Sequence, residues 1–207
     1  MDRITANLAL AVLALTLFAA PSLAADKSAT AATCAKNLAP LIDPAKLATL
    51  GTRGANSRVQ KAVYWLSTAA SNKAAPAGVV DTALKTVGMK GEAAVLTKQA
   101  LLRNLDIATK LGCLDAEGLA AMRKGNAPTV RRGPYAGDKL SVDHIIPRAV
   151  CPELDNVIAN LELMPLRMNE SKNDKIGARQ LALAKKLHSA GLLSSEGKQK
   201  IDSHPQR

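Results

Sequence analysis

Residues 124–139, "KGNAPTVRRGPYAGDK", hold three glycines and two prolines in sixteen positions, and no helix can run through them. Any helical pattern before this stretch must end there, and the residues beyond it must form separate elements. The two sides differ in pattern. Upstream, residues 56–70 place Val59, Val63 and Leu66 on one stripe, with Asn56 or Ser57 as N-cap. Residues 91–111 form the longest amphipathic segment, closed by Gly112, and 115–124 form a shorter helix capped by Asp115. Downstream, "KLSVDHII" reads as a short strand ended by Pro147, and a second strand falls near 161–164. From Pro165 a helix is expected to run to Gly191. The expected fold class is α+β, mostly helical. A helical region over 25–130 precedes a strand–loop–strand–helix unit over 131–195 and a tail over 196–207. "LGCLDAEG" at 111–118 is echoed by "AGLLSSEG" at 190–197. Each reads as a helix ending at glycine, followed by a new N-cap.

Residues 1–24 read as an export signal. Asp2 and Arg3 precede an apolar run from Leu8 to Ala20, then Pro21 and the small-residue site Ser22-Leu23-Ala24. The expected location is periplasmic or secreted, with no stable membrane association once the signal is removed. In an oxidising compartment the three cysteines permit one disulfide. Cys34 and Cys113 are the favoured pair because both fall in the helical region, and Cys151 is left over. No Cys-x-x-Cys spacing is present, which argues against structural zinc.

The formal net charge is +11, which suits a polyanionic partner, nucleic acid first. Aromatic residues narrow the mode of contact. Apart from Phe18 there are only Tyr64, Trp65 and Tyr135, too few for a base-stacking platform. Tyr64 and Trp65 are expected in the core. Contact with the backbone of a duplex fits better, so DNA is preferred.

Chemistry-bearing residues concentrate in 142–176, "VDHIIPRAVCPELDNVIANLELMPLRMNESKNDKI". Histidine ordinarily titrates near ~6.5, which suits a general base close to neutral pH, so His144 is the candidate base. Asp143 offers a hard carboxylate oxygen, and Asn169 can add an amide oxygen. Two oxygen donors without a second histidine point to Mg²⁺, with Mn²⁺ or Ca²⁺ as alternatives, and away from zinc. Neighbouring strand residues face opposite ways, so Asp143 and His144 share a site only if the strand ends or twists there. On a continuous helix Asn169, Lys172, Asn173 and Ile176 would occupy one face. Lys172 would then meet a phosphate, and Asn173 would be a second ligand or a polar neighbour. Arg148 is open to two roles, a DNA contact or an exposed ion pair. Arg131-Arg132 and Lys185-Lys186 read as solvated faces, and His188 and His204 as surface residues.

Asp143-His144-Ile145-Ile146-Pro147, then Asn160-Leu161, then Asn169 and Lys172 resemble the HNH endonucleases, a branch of the ββα-metal finger nucleases. The resemblance is to the variant with asparagine in the last motif position. It covers about 35 of the 207 residues. It implies a metal-dependent endonuclease with little sequence specificity, acting on DNA, with RNA left open. His144 would be its base, and Asp143 and Asn169 would hold the metal. Asn160 would join His144 at the catalytic centre by pinning the loop, with Asn156 a rival for that task. Lys172, Arg148 and Asn173 would face nucleic acid.

The chain departs from the family in lacking paired Cys-x-x-Cys motifs, so Ile145, Leu161, Leu163 and Ile176 must hold the finger by packing. Asparagine where the family name implies histidine leaves the metal's identity open. The alternative is a basic nucleic-acid-binding protein with a decayed, non-catalytic finger. A secreted toxin-like nuclease is a weaker third reading. Oligomeric state is left open.

Overall fold

The computed structural model describes residues 29–172 and 174–205. The expected export signal lies outside the described residues. The helical region comprises α1 (Ala31–Ile42), α2 (Pro44–Leu47), α3 (Asn56–Ser71), α4 (Pro76–Thr86), α5 (Gly91–Lys110) and α6 (Ala116–Lys124). After the glycine- and proline-rich stretch come β1 (Leu140–His144), two 3-10 turns at Pro152–Leu154 and Ile158–Asn160, and β2 (Leu161–Pro165). Three helices close the described chain: α7 (Leu166–Ser171), α8 (Ala178–Ser189) and α9 (Ser195–Asp202). The fold is α+β and mostly helical. Among the described residues no helix is long and apolar enough to cross a membrane.

Local chemistry accounts for most of these boundaries. Thr30 caps α1 by accepting from the Thr33 amide, and Asp115 caps α6 by accepting from Gly118. Proline at the first position opens α4, where its missing N–H costs nothing. Gly112, just past α5, has φ +69°, a conformation favourable to glycine. α3 departs from expectation: Asn56 is its first helical residue and Ala55 its cap position, without a side-chain bond. The Ala55 amide is taken instead by Asn156 Oδ1 at 2.9 Å, from the loop between the strands.

β1 and β2 pair antiparallel, with Asp143 opposite Glu162 and His144 opposite Leu161. A two-stranded sheet is marginal alone in water. Here the helical region supplies both its cover and its edges. Leu140, Leu161 and Leu163 are buried in one cluster with Leu66 of α3 and Leu101 of α5. Gln60 of α3 donates to the Leu140 carbonyl at 2.8 Å. Asn104 of α5 donates to the Leu161 carbonyl at 3.1 Å and accepts from the Leu163 amide at 2.8 Å. The division at residue 130 is thus a change of secondary structure inside a shared core. A second cluster joins Ile146, Leu154 and Ile176 to Leu187 of α8 and Ile201 of α9.

Three expectations are corrected. The helix expected from Pro165 to Gly191 breaks after Ser171. Lys172 turns extended (ψ 116°) because its ammonium is drawn back to Asp143 and the carbonyls of His144 and Ile145. The segment expected as a tail is largely α9, whose Ile201 has no exposed surface. The Cys34–Cys113 disulfide is not formed. Cys113 keeps its thiol, which donates to the Leu111 carbonyl. α1 has its main partners in α3 and α4, whereas Cys113 sits in the turn from α5 to α6. Lying in one helical region did not make the two cysteines a bonded pair.

Candidate active site

A cleft of about 500 Å³ opens between the sheet and the N-terminal end of α3. Asp143, His144, Asn169 and Lys172 all line it, together with Arg148 from the loop after β1. The geometric objection to neighbouring strand residues serving one site is met, because β1 ends at His144.

His144 is 9% exposed. Its Nε2 lies 3.0 Å from the Asp155 carbonyl oxygen and 2.9 Å from Asp155 Oδ1. A carbonyl can only accept, so Nε2 must carry the proton. In the neutral ring the lone pair is therefore on Nδ1, which makes no hydrogen bond among the described residues. That nitrogen is the one able to take a proton.

Asn160 is fully buried and holds the loop that carries the histidine. Its Oδ1 accepts from the Ile146 amide at 2.8 Å, and its Nδ2 donates to the Ile146 carbonyl at 3.0 Å and toward that of Leu154 at 3.4 Å. It does not line the cleft, so its role is positioning. Asn156 has a separate task. It accepts from Ala55 and donates to the Leu50 and Gly51 carbonyls, tying the strand–strand loop to the turn before α3.

The amide of Asn169 is oriented by a short relay. Ser141 Oγ donates its one proton to the Met164 carbonyl at 3.0 Å, so toward Asn169 it can only accept. Asn169 Nδ2 fills that place at 3.0 Å, which leaves Oδ1 as the free branch of the amide. Asp143 is 7% exposed and bonded to the Lys172 ammonium. Lys172 thus neutralises the carboxylate instead of extending into the open cleft as expected. Its charge and the Asp143 carboxylate form one polar floor.

The expected helical face is only partly realised. Asn169 lies on α7 and Lys172 just beyond it, and both reach the cleft. Ile176 is buried in the second cluster, and Asn173 lies outside the described residues. Arg148 is exposed, lines the cleft and makes no ion pair among the described residues. Arg131 pairs with Asp115 and Glu117, a solvated cluster away from the site. Sequence reasoning missed the opposite wall: Arg53, Asn56, Ser57 and Gln60 also line the cleft. Nothing in "GTRGANSRVQ" marks them, because only the packing of α3 against the sheet brings them there. It also missed Asp155, five residues before Asn160 in a run that reads as loop.

Among the described residues no three His, Cys, Asp or Glu side chains gather into a metal-holding group. Of the expected donors the cleft brings together the Asp143 carboxylate, paired with Lys172, and the Asn169 amide oxygen, and a second carboxylate, Asp174, also lines it. Mg²⁺ ordinarily keeps several waters and takes one or two carboxylates from protein, so this set fits it.

The chain was compared with protein-family models, with curated proteins and with solved structures, and it matches none of them.

Proposed function

We propose that this protein is a metal-dependent endonuclease of the HNH type, hydrolysing phosphodiester bonds of DNA with little sequence specificity. The observation that carries the reading is the convergence of His144, Asp143 and Asn169 on one cleft, with Nδ1 as the ring's basic nitrogen. His144 takes a proton from the attacking water as oxygen bonds to phosphorus and the opposite P–O bond breaks. Positioned proton transfer of this kind contributes about 10²–10⁴-fold. Asp143 and Asn169 would hold a divalent cation, Mg²⁺ before Mn²⁺ or Ca²⁺, which neutralises charge on the phosphoryl and leaving oxygens. Arg148 and Arg53 line the same cleft and offer charge to neighbouring phosphates. Lys172 joins them where Asp143 releases it. The +11 net charge favours a polyanion. Phosphate contacts carry no base information, which suits sequence-tolerant cutting. Export to the periplasm or medium would keep the activity away from the cell's own genome.

The test is nicking of supercoiled plasmid by the purified protein with Mg²⁺, with and without chelator. Chelator should abolish nicking, and His144→Ala should lower the rate about 10²–10⁴-fold while leaving the circular dichroism spectrum and DNA affinity in place. Salt-dependent DNA binding by a folded, Mg²⁺-supplied protein with no nicking overturns the reading in favour of a non-catalytic binding module.

A further inference from the structure

The pair of hydrogen bonds to His144 Nε2 involves a side chain as well as a carbonyl, and the side chain is tied elsewhere. Asp155 Oδ1 is 2.9 Å from Nε2, while Asp155 Oδ2 accepts from the Arg53 backbone amide at 2.9 Å. One carboxylate therefore bridges the candidate base and the turn at 50–55, which belongs to the helical region. Arg53 adopts φ +56°, a conformation uncommon for a residue with a side chain. It aims its N–H at Asp155. The next residue of the loop, Asn156, takes three further bonds on the same turn, from the Ala55 amide and to the Leu50 and Gly51 carbonyls. Four hydrogen bonds thus fasten the loop 155–156 to the turn.

Resting on the nuclease reading above, we propose that Asp155 is a positioning residue for His144. Held by the turn before α3, it fixes the ring's rotation and its Nε2–H form so that Nδ1 stays aimed into the cleft. The helical region is then part of the catalytic apparatus and not only a support for the sheet. The Asp155 carbonyl alone is a single acceptor, which leaves the ring free to swing off it and to sample the other tautomer. The carboxylate adds a second acceptor on the same proton and removes that freedom. Asp155 does not line the cleft, so it acts through His144 and not on substrate.

The test compares wild type, Asp155→Ala and Asp155→Asn in plasmid nicking with Mg²⁺, together with ¹⁵N spectra of the histidine rings. Asp155→Ala should lower kcat about 10–100-fold with a smaller effect on KM for DNA, which it reaches only through the Arg53 backbone. The asparagine variant keeps one acceptor oxygen, which can serve Nε2–H or the Arg53 amide but not both, so its kcat should fall between those of wild type and Asp155→Ala. The wild-type His144 ring should give one protonated and one unprotonated nitrogen signal, and Asp155→Ala should move both toward the averaged values of an exchanging ring. Unchanged kcat and unchanged ring signals in Asp155→Ala overturn the proposal while leaving the nuclease reading intact. A rise in KM with kcat unchanged also overturns it, because Asp155 would then act on substrate binding through Arg53 and not on the ring. If wild type never nicks DNA the nuclease reading falls, and ring signals unmoved by Asp155→Ala would then overturn the positioning role separately.

Discussion

Asn160 has no exposed surface, and its side-chain bonds all go to backbone on either side of the loop that carries the histidine. Replacing it with alanine orphans the Ile146 N–H and C=O in a site water does not reach, and each orphaned group costs about 1–3 kcal/mol. Asn160→Ala is expected to lower the urea midpoint strongly and to lose nicking together with stability. Asn156→Ala should cost less, since its bonds lie nearer solvent. The sequence offered both asparagines for one task. Spacing to Leu161 and Asn169 favoured Asn160, and the structure gives each its own. His144 and Asp143 were legible because few residue types can do their chemistry. Asp155 was not, because an aspartate five residues before Asn160 becomes a histidine partner only through the fold of the loop.

Among the elements, α3, α5 and α6 were legible close to their ends, whereas α1, α4 and α9 were not expected. The echo between 111–118 and 190–197 corresponds to two matching turns. Gly112 and Gly191 take φ +69° and +70°, and Asp115 and Ser194 then accept from the amides of Gly118 and Gly197. The Asp115 carboxyl is held below its ordinary range, first by the Gly118 N–H and further by Arg131. A carboxyl lowered in the folded state adds stability above its unfolded pKa and loses it as pH falls through the folded value. Asp115→Ala should therefore cost about 1 kcal/mol near neutral pH, and the gap from wild type should close in acid, as read by thermal unfolding at both pH values. The break after Ser171 was not legible. The pattern from 166 to 189 suits a helix, and what ends α7 is a long-range bond from Lys172 to Asp143, 29 residues away.

At the scale of the whole molecule the sheet survives because amides from the helical region close its edges. Gln60 serves β1 and Asn104 serves β2. Asn104→Ala removes a donor and an acceptor from buried strand backbone and is expected to cost about 1–3 kcal/mol for each group left unpaired, measured by chemical denaturation. A fragment beginning at residue 131 should show no amide protons protected from hydrogen exchange in β1 and β2, because Leu140, Leu161 and Leu163 would lose the helices that cover them.

What the sequence by itself determined is local: α3, α5 and α6 to within a residue or two, the two strands, and the residue types able to move a proton or hold a hard cation, since each depends on near neighbours along the chain. Only the tertiary structure decided which walls face one another. It set α3 across the cleft from His144. It bent Lys172 onto Asp143 and kept Cys113 out of a disulfide with Cys34. Those outcomes depend on packing between segments dozens of residues apart, and a hydrogen bond or apolar contact across such a separation leaves no periodicity in the sequence.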